Sequence, residues 1–275
     1  MNTAELIVEL VLTGLLMLAV LLTPAAVAYP ELWELLKSGD LLAPLIAAGF
    51  ILGVVVDRCA DSVLETWEAQ TRCKFATSKT IEDQRAAIGA TDVVDRFPED
   101  WMRNFVMQTG KEGAIKWGDQ LRTRIRIARS VLIIAPALAT SALLALWQTV
   151  SESRSIAWLP AIQFIYLLVA LYVASKSAKP RTYDKPPQPE GKRPLSPVAT
   201  WLGLQLLSAL TIVIFVIVSA NDTAAPAAAI GTVAAGAALT TIAGNAWRRI
   251  TRTYMRFLWD FCRFAEPEKL RAAMQ

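Results

Sequence analysis

The densest grouping of reactive side chains in this chain is Asp57, Cys59 and Asp61. Two carboxylates four residues apart share one face of a helix, and a thiol lies between them. Such a trio has the parts for acid–base or thiol chemistry. The same residues serve equally well as the charged turns of a helix leaving a membrane. Several other chemistries are excluded. The chain has no histidine, so serine–histidine and cysteine–histidine nucleophile pairs, HExxH zinc sites and a haem held by histidine are unavailable. The three cysteines (Cys59, Cys73, Cys262) form no CxxC and cannot build a four-cysteine zinc site. They are odd in number, which argues against a disulfide framework. There is no Walker loop and no GxGxxG. The expectation is no catalytic residue, no metal and no cofactor; an enzyme of this sequence would need a carboxylate or cysteine site, for example Asp57, Cys59 and Asp61.

What must position these residues is a set of membrane helices. The 275 residues are 54% hydrophobic and 19% charged, with a mean hydropathy of +0.39, whereas soluble chains carry about 25% charged residues. A spanning helix needs about 20 apolar residues to cross roughly 30 Å of hydrocarbon. Six stretches qualify: Ile7–Ala28, Leu41–Val56, Ser130–Val150, Ile156–Ala174, Ala199–Ser219 and Ala224–Ala246. The second is short, but Asp57 and Arg58 follow where flanking charges snorkel to the interface. Glu9 is the only acid inside a span, close enough to the inner interface to be solvated. The fold class is therefore all-α: a polytopic bundle of about six transmembrane helices, with a small helical cytoplasmic cap and a C-terminal amphipathic helix. The first span has a rival reading as a signal peptide, since Ala26-Val27-Ala28 resembles a cleavage site. The lack of a basic residue before it, and the presence of Glu5 and Glu9, speak against cleavage.

Lysine and arginine placement sets the orientation. With a cytoplasmic N-terminus, the inside segments hold 26 of the 28 basic residues, and the outside loops hold only Lys37 and Arg154. Discarding the one long inside segment, which carries 13, leaves the excess in place. Both termini are thus expected in the cytoplasm of a cell with the protein in its inner (plasma) membrane. Trp33, Trp147, Trp158, Trp201 and Trp247 lie near span ends, as interfacial rings or as residues packed in helix ends.

The chain divides accordingly. Residues 1–56 hold two spans, 57–129 the cap, 130–174 spans three and four, 175–198 a basic, proline-rich linker, 199–246 spans five and six, and 247–275 the basic amphipathic tail. The cap is charge-balanced, which argues against nucleic acid as a partner. In it, Pro98 opens a helix with the apolar stripe Trp101, Met102, Phe105 and Val106, and Gly110 ends it. Arg122, Arg124 and Arg126 alternate as in a strand, but continuity with the third span favours a helix. That helix puts Arg122, Arg126 and Arg129 on one side, either to meet lipid phosphate or a charged partner, or to anchor the span against the cap's carboxylates. In the tail, Ile250, Tyr254, Phe257, Leu258, Phe261 and Phe264 form one stripe, opposite Arg248, Arg249, Arg252, Arg256 and Arg263. Its apolar side is expected to meet the cap, lipid or another subunit, and Arg248, Arg249, Arg252 and Arg256 to contact anionic head groups or a partner.

Inside the membrane the spans lack charged centres, which weighs against an ion-coupled transporter. Gln163, Gln205 and Thr211 are candidates for a polar path, with helix–helix hydrogen bonding as their ordinary role. The sixth span carries small residues at four-residue spacing: Gly231 with Ala235, and Gly236, Thr240 and Gly244. This face packs closely within the bundle or against another copy. Together these features predict a non-enzymatic membrane protein that self-associates, as a pore, channel or membrane-perturbing assembly. The alternative is an accessory or scaffold subunit that docks a cytoplasmic protein.

Overall fold

The computed structural model describes residues 3–76, 98–151, 165–167, 169, 197–220 and 223–263. Among the described residues there are seven long stretches of helix and no strand: α1 (Thr3–Ala28), α2 (Pro30–Lys37), α3 (Leu42–Ala76), α4 (Pro98–Thr109), α5 (Glu112–Val150), α6 (Pro197–Ser219) and α7 (Ala224–Arg263). Five of them, α1, α3, α5, α6 and α7, are long and apolar enough to cross a membrane. Their outward faces carry large apolar side chains such as Leu12, Ile51, Leu207, Ile214, Val218 and Ile242. That is the surface of a multi-pass membrane protein, because apolar patches of this extent are costly in water.

Two spans continue into the charged turns beside them, as expected. The second apolar stretch opens a 35-residue helix, α3, and Asp57, Cys59 and Asp61 lie in mid-helix on its continuation. The arginine-rich stretch before the third span is likewise one continuous helix with it, α5. Gly39, at a φ of 80°, makes the turn that separates α2 from α3, a backbone state in which glycine carries no Cβ penalty. The expected fourth span, residues 156–174, lies outside the described residues except at 165–167 and 169, which are helical. The linker at 175–196, Gln163, Trp158 and Phe264 also lie outside them.

The helices wrap around α5. In its most apolar window 61% of residues are buried, against 17–28% in the other four candidate spans. A helix surrounded on all sides must be apolar all round, and Leu132, Ile133, Ile134, Ala137 and Leu143 meet that demand. Directions follow from who meets whom. Leu132 and Ile133 share a cluster with Val63, Leu64, Val198, Trp201 and Ala243. Leu143, further along α5, meets Ala209 and Val216 of α6 and Ala229 of α7. Hence α5 and α6 run parallel, and α7 runs antiparallel to both. At one end, α4 packs Met102, Phe105 and Val106 against Leu121 and Ile125 of α5 and Trp247, Tyr254, Met255 and Leu258 of α7.

A charged junction of α1, α3 and α5 as the candidate functional site

The charged turns of α3 and α5 meet where the apolar parts end. At about 100° per residue, Asp57, Asp61 and Glu68 fall within about 40° of one another on α3. Arg126 and Arg129 lie one turn apart on α5, and the two faces oppose each other. Arg129 donates from Nη2 to Asp57 Oδ1 at 2.8 Å and from Nη1 to Asp61 Oδ1 at 2.6 Å. Its Nη1 also lies 3.8 Å from Glu68 Oε2. Arg126 reaches Asp57 Oδ2 at 3.4 Å. The side chains of Arg129, Asp57 and Glu68 are 7%, 9% and 7% exposed, so this is a desolvated network rather than a surface pair. Asp61 opens it to solvent at 47%.

Glu9 of α1 completes the junction. It is buried, close enough to Arg126, Arg129 and Asp57 to feel their charges, and its Oε2 has no hydrogen-bond partner. The solvated position expected for it is therefore not the one it occupies. Arg129 Nε is also buried without a partner. The junction thus leaves one acceptor and one donor unsatisfied, a costly arrangement in a low-dielectric site.

The expected site residues part company here. Arg126 and Arg129 join the cluster, while Arg122, one turn earlier, is half-buried and outside these ion pairs. Of the trio Asp57, Cys59 and Asp61, the carboxylates are taken up by Arg129, and Cys59 packs against the apolar cluster of the spans. No group of acids and cysteines able to hold a metal ion occurs among the described residues. What the junction does chemically is tie α3 to α5 by charge, with Glu9 of α1 buried beside the ion pairs.

Gln205 is fully buried and accepts a hydrogen bond from Thr140 of α5 at 3.2 Å. Thr211 lies on the outer side of α6, its hydroxyl turned to the Leu207 carbonyl, so these two candidates are not brought together. Ser141 also crosses between helices, donating to the Val20 carbonyl of α1. Trp201 and Trp247 are packed inside, with Nε1 unpartnered, while Trp33 is exposed.

The small residues of α7 serve two faces. Gly236 is buried where an added Cβ would strike Ala139 of α5, and one at Gly244 would touch Leu132. Thr240 caps its hydroxyl on the Gly236 carbonyl. Gly231 and Ala235 are instead exposed, with open space around Gly231. A closer approach occurs elsewhere: an added Cβ at Gly14 would fall on the Gly49 carbonyl, and one at Gly53 on the Leu10 carbonyl. The Gly49-x-x-x-Gly53 spacing in α3 is the sequence signal for it.

Along α7, Tyr254, Met255, Leu258, Trp259 and Cys262 are buried in the α4 cluster, and Arg248, Arg249, Arg252 and Arg256 are exposed. Arg248 lies over the Trp67 ring at 5.1 Å. The chain matches no known family model, no curated protein and no solved structure.

Proposed function

We propose that this chain is a non-enzymatic, multi-pass component of the inner (plasma) membrane that assembles with copies of itself through the outward face of α7. The observation that carries this reading is a contrast between two lipid-facing helices. The outward side of α6 is bulky, with Leu206, Leu207, Leu210, Ile214 and Val218. The outward side of α7 is smaller on average: Gly231, Ala234, Ala235 and Ala238 are exposed there, beside Ile230, Leu239 and Ile242. Small residues give lipid little to hold and let a second helix backbone approach closely. The stripe Gly236, Thr240 and Gly244 already uses that principle against α5.

Six spans with both termini in the cytoplasm fit the same picture. α5 and α6 both start at the charged end, and between them Tyr166 donates to the Leu204 carbonyl at 2.6 Å and Leu167 joins the core, which supports a further crossing by the fourth span. With α5 filling the centre of the chain, a pore made by such an assembly would run between subunits. The non-enzymatic reading draws support from the ion-pairing of Asp57 and Asp61; substituting both by Asn would then alter stability and leave no turnover to lose.

The mass of the particle in a lipid nanodisc tests the assembly. Two or more chains per particle are expected, falling to one in G231L/A235L. A single chain for the unsubstituted protein would overturn the reading. Conductance of the reconstituted assembly is the following step. A second reading, as a scaffold docking a cytoplasmic partner, is favoured by the firm packing of α4 on α5 and α7, which presents a rigid surface at the charged end. Recovery of one soluble protein in proportion to the chain, lost when residues 98–109 are deleted, would support it.

A further inference from the structure

The two sets of arginines at the charged end have different fates. Arg126 and Arg129 are neutralised by α3, whereas Arg248, Arg249 and Arg252 are exposed on α7 and make no ion pair among the described residues. We propose that Arg248, Arg249 and Arg252 bind the phosphates of anionic phospholipids in the inner leaflet. The proposal rests on the orientation argued above, with the charged end at that leaflet.

Position on the helix favours lipid over a protein. At about 100° per residue, the three arginines occupy the same sector of roughly 120° as Thr241, Ile242 and Asn245. Those three residues are exposed between the small-residue face and the arginines, in the apolar part of α7 where lipid lies. The arginines therefore continue the lipid-facing side of the helix beyond its apolar edge. Height makes the same choice. With about 1.5 Å of rise per residue, Arg248 and Arg249 stand roughly 3–5 Å past Ala246, and Arg252 about 9 Å. The head-group layer is about 5–8 Å deep on each side, so Arg248 and Arg249 fall within it and Arg252 at its outer edge, within reach of its long side chain. Arg256 lies beyond it and has the exposed Asp260 one turn further on.

The geometry of Arg248 suits a phosphate. Its guanidinium rests on the Trp67 ring at 5.1 Å. Stacking uses the flat face of the guanidinium and leaves its in-plane N–H donors for oxygen. Self-association through Gly231 does not close this site. Helices that cross at small residues are inclined by about 40°, and Arg248 is roughly 26 Å along the helix from Gly231. The two copies diverge before they reach the arginines, leaving room for head groups that separate like charges.

The test is native mass spectrometry of the full chain in neutral detergent, titrated with phosphatidylglycerol or phosphatidylcholine. Phosphatidylglycerol is expected to bind at least tenfold more tightly. R248Q/R249Q/R252Q is expected to reduce that binding by about a hundredfold, at about fivefold per arginine, and R256Q by less than twofold. R248K/R249K/R252K retains most of the affinity and controls for folding. Equal binding of the two lipids, or unchanged phosphatidylglycerol binding in the triple glutamine variant, overturns the proposal and assigns the face to a protein partner. The same spectra count chains per particle. Lipid preference lost with the chain number intact sinks this proposal alone, and a single chain that keeps its phosphatidylglycerol sinks self-association alone.

Discussion

Arg129 faces three carboxylates from a position only 7% exposed, so its guanidinium holds Asp57 and Glu68 where water scarcely reaches, and Asp61 at the solvent edge. Removing one partner of a buried pair costs about 3–5 kcal/mol, because the remaining charge stays desolvated. Arg129→Ala is therefore expected to lower stability by about that much, while Arg126→Ala, at 29% exposure and 3.4 Å from Asp57, costs about 1 kcal/mol or less. Titration with a denaturing detergent, followed by circular dichroism, compares them. Equal losses would mean that Arg126 shares the buried load. The arginines and acids of this junction were visible in the sequence, down to the shared face of Asp57 and Asp61. Their pairing was visible only as one of two options, since Arg129 and Asp57 are 72 residues apart. The burial of Glu9 had no local signal at all. It follows from how α1 crosses α3 and α5, which no window of residues reports.

Helix crossings decide the next level. In α1 and α3 the backbones touch where an added Cβ at Gly14 would strike the Gly49 carbonyl and one at Gly53 the Leu10 carbonyl, leaving no space for a side chain at either position. Overfilling a packed contact costs typically about 1–3 kcal/mol, and here the obstacle is backbone, which cannot rotate away. Gly53→Leu is expected to separate α1 from α3 and expose α1 to protease in detergent. Gly203→Leu, where nothing lies within 4 Å of the added carbon, should leave the digestion pattern unchanged. If both variants digest alike, the close crossing is not what seats α1. The spacing of Gly49 and Gly53 is as plain as that of Gly236, Thr240 and Gly244. Spacing alone does not name a partner, and the sixth span shows why: its small residues divide between an inward face on α5 and an outward one. The amphipathic tail was more legible as an apolar stripe, because its period is sustained; that α4 covers it, rather than lipid or another subunit, was left open by periodicity.

At the scale of the whole molecule, the running directions of the helices constrain topology more tightly than hydropathy does. Apolar length marks candidate spans and the placement of basic residues predicts their sides; the contacts of α5 with α6 and α7 supply the relative directions. Thiol labelling in a cysteine-free background follows from them. Cysteines placed at Gly39 and Ser151 are expected to react with an impermeant reagent from outside intact cells, and those at Thr109 and Asp260 only after lysis. Labelling of Thr109 and Ser151 from the same side would refute a membrane-crossing α5. The distance in sequence between the acids of α3 and Arg129 also has a consequence in time. Synthesis proceeds at about 5–20 residues per second, so the 72 residues between Asp57 and Arg129 take about 4–14 s to appear at those rates. For that interval the newborn α1–α3 hairpin carries Glu9, Asp57 and Asp61 with no arginine from α5 to answer them. The hairpin must wait, with its acids at the water's edge, until the third span arrives.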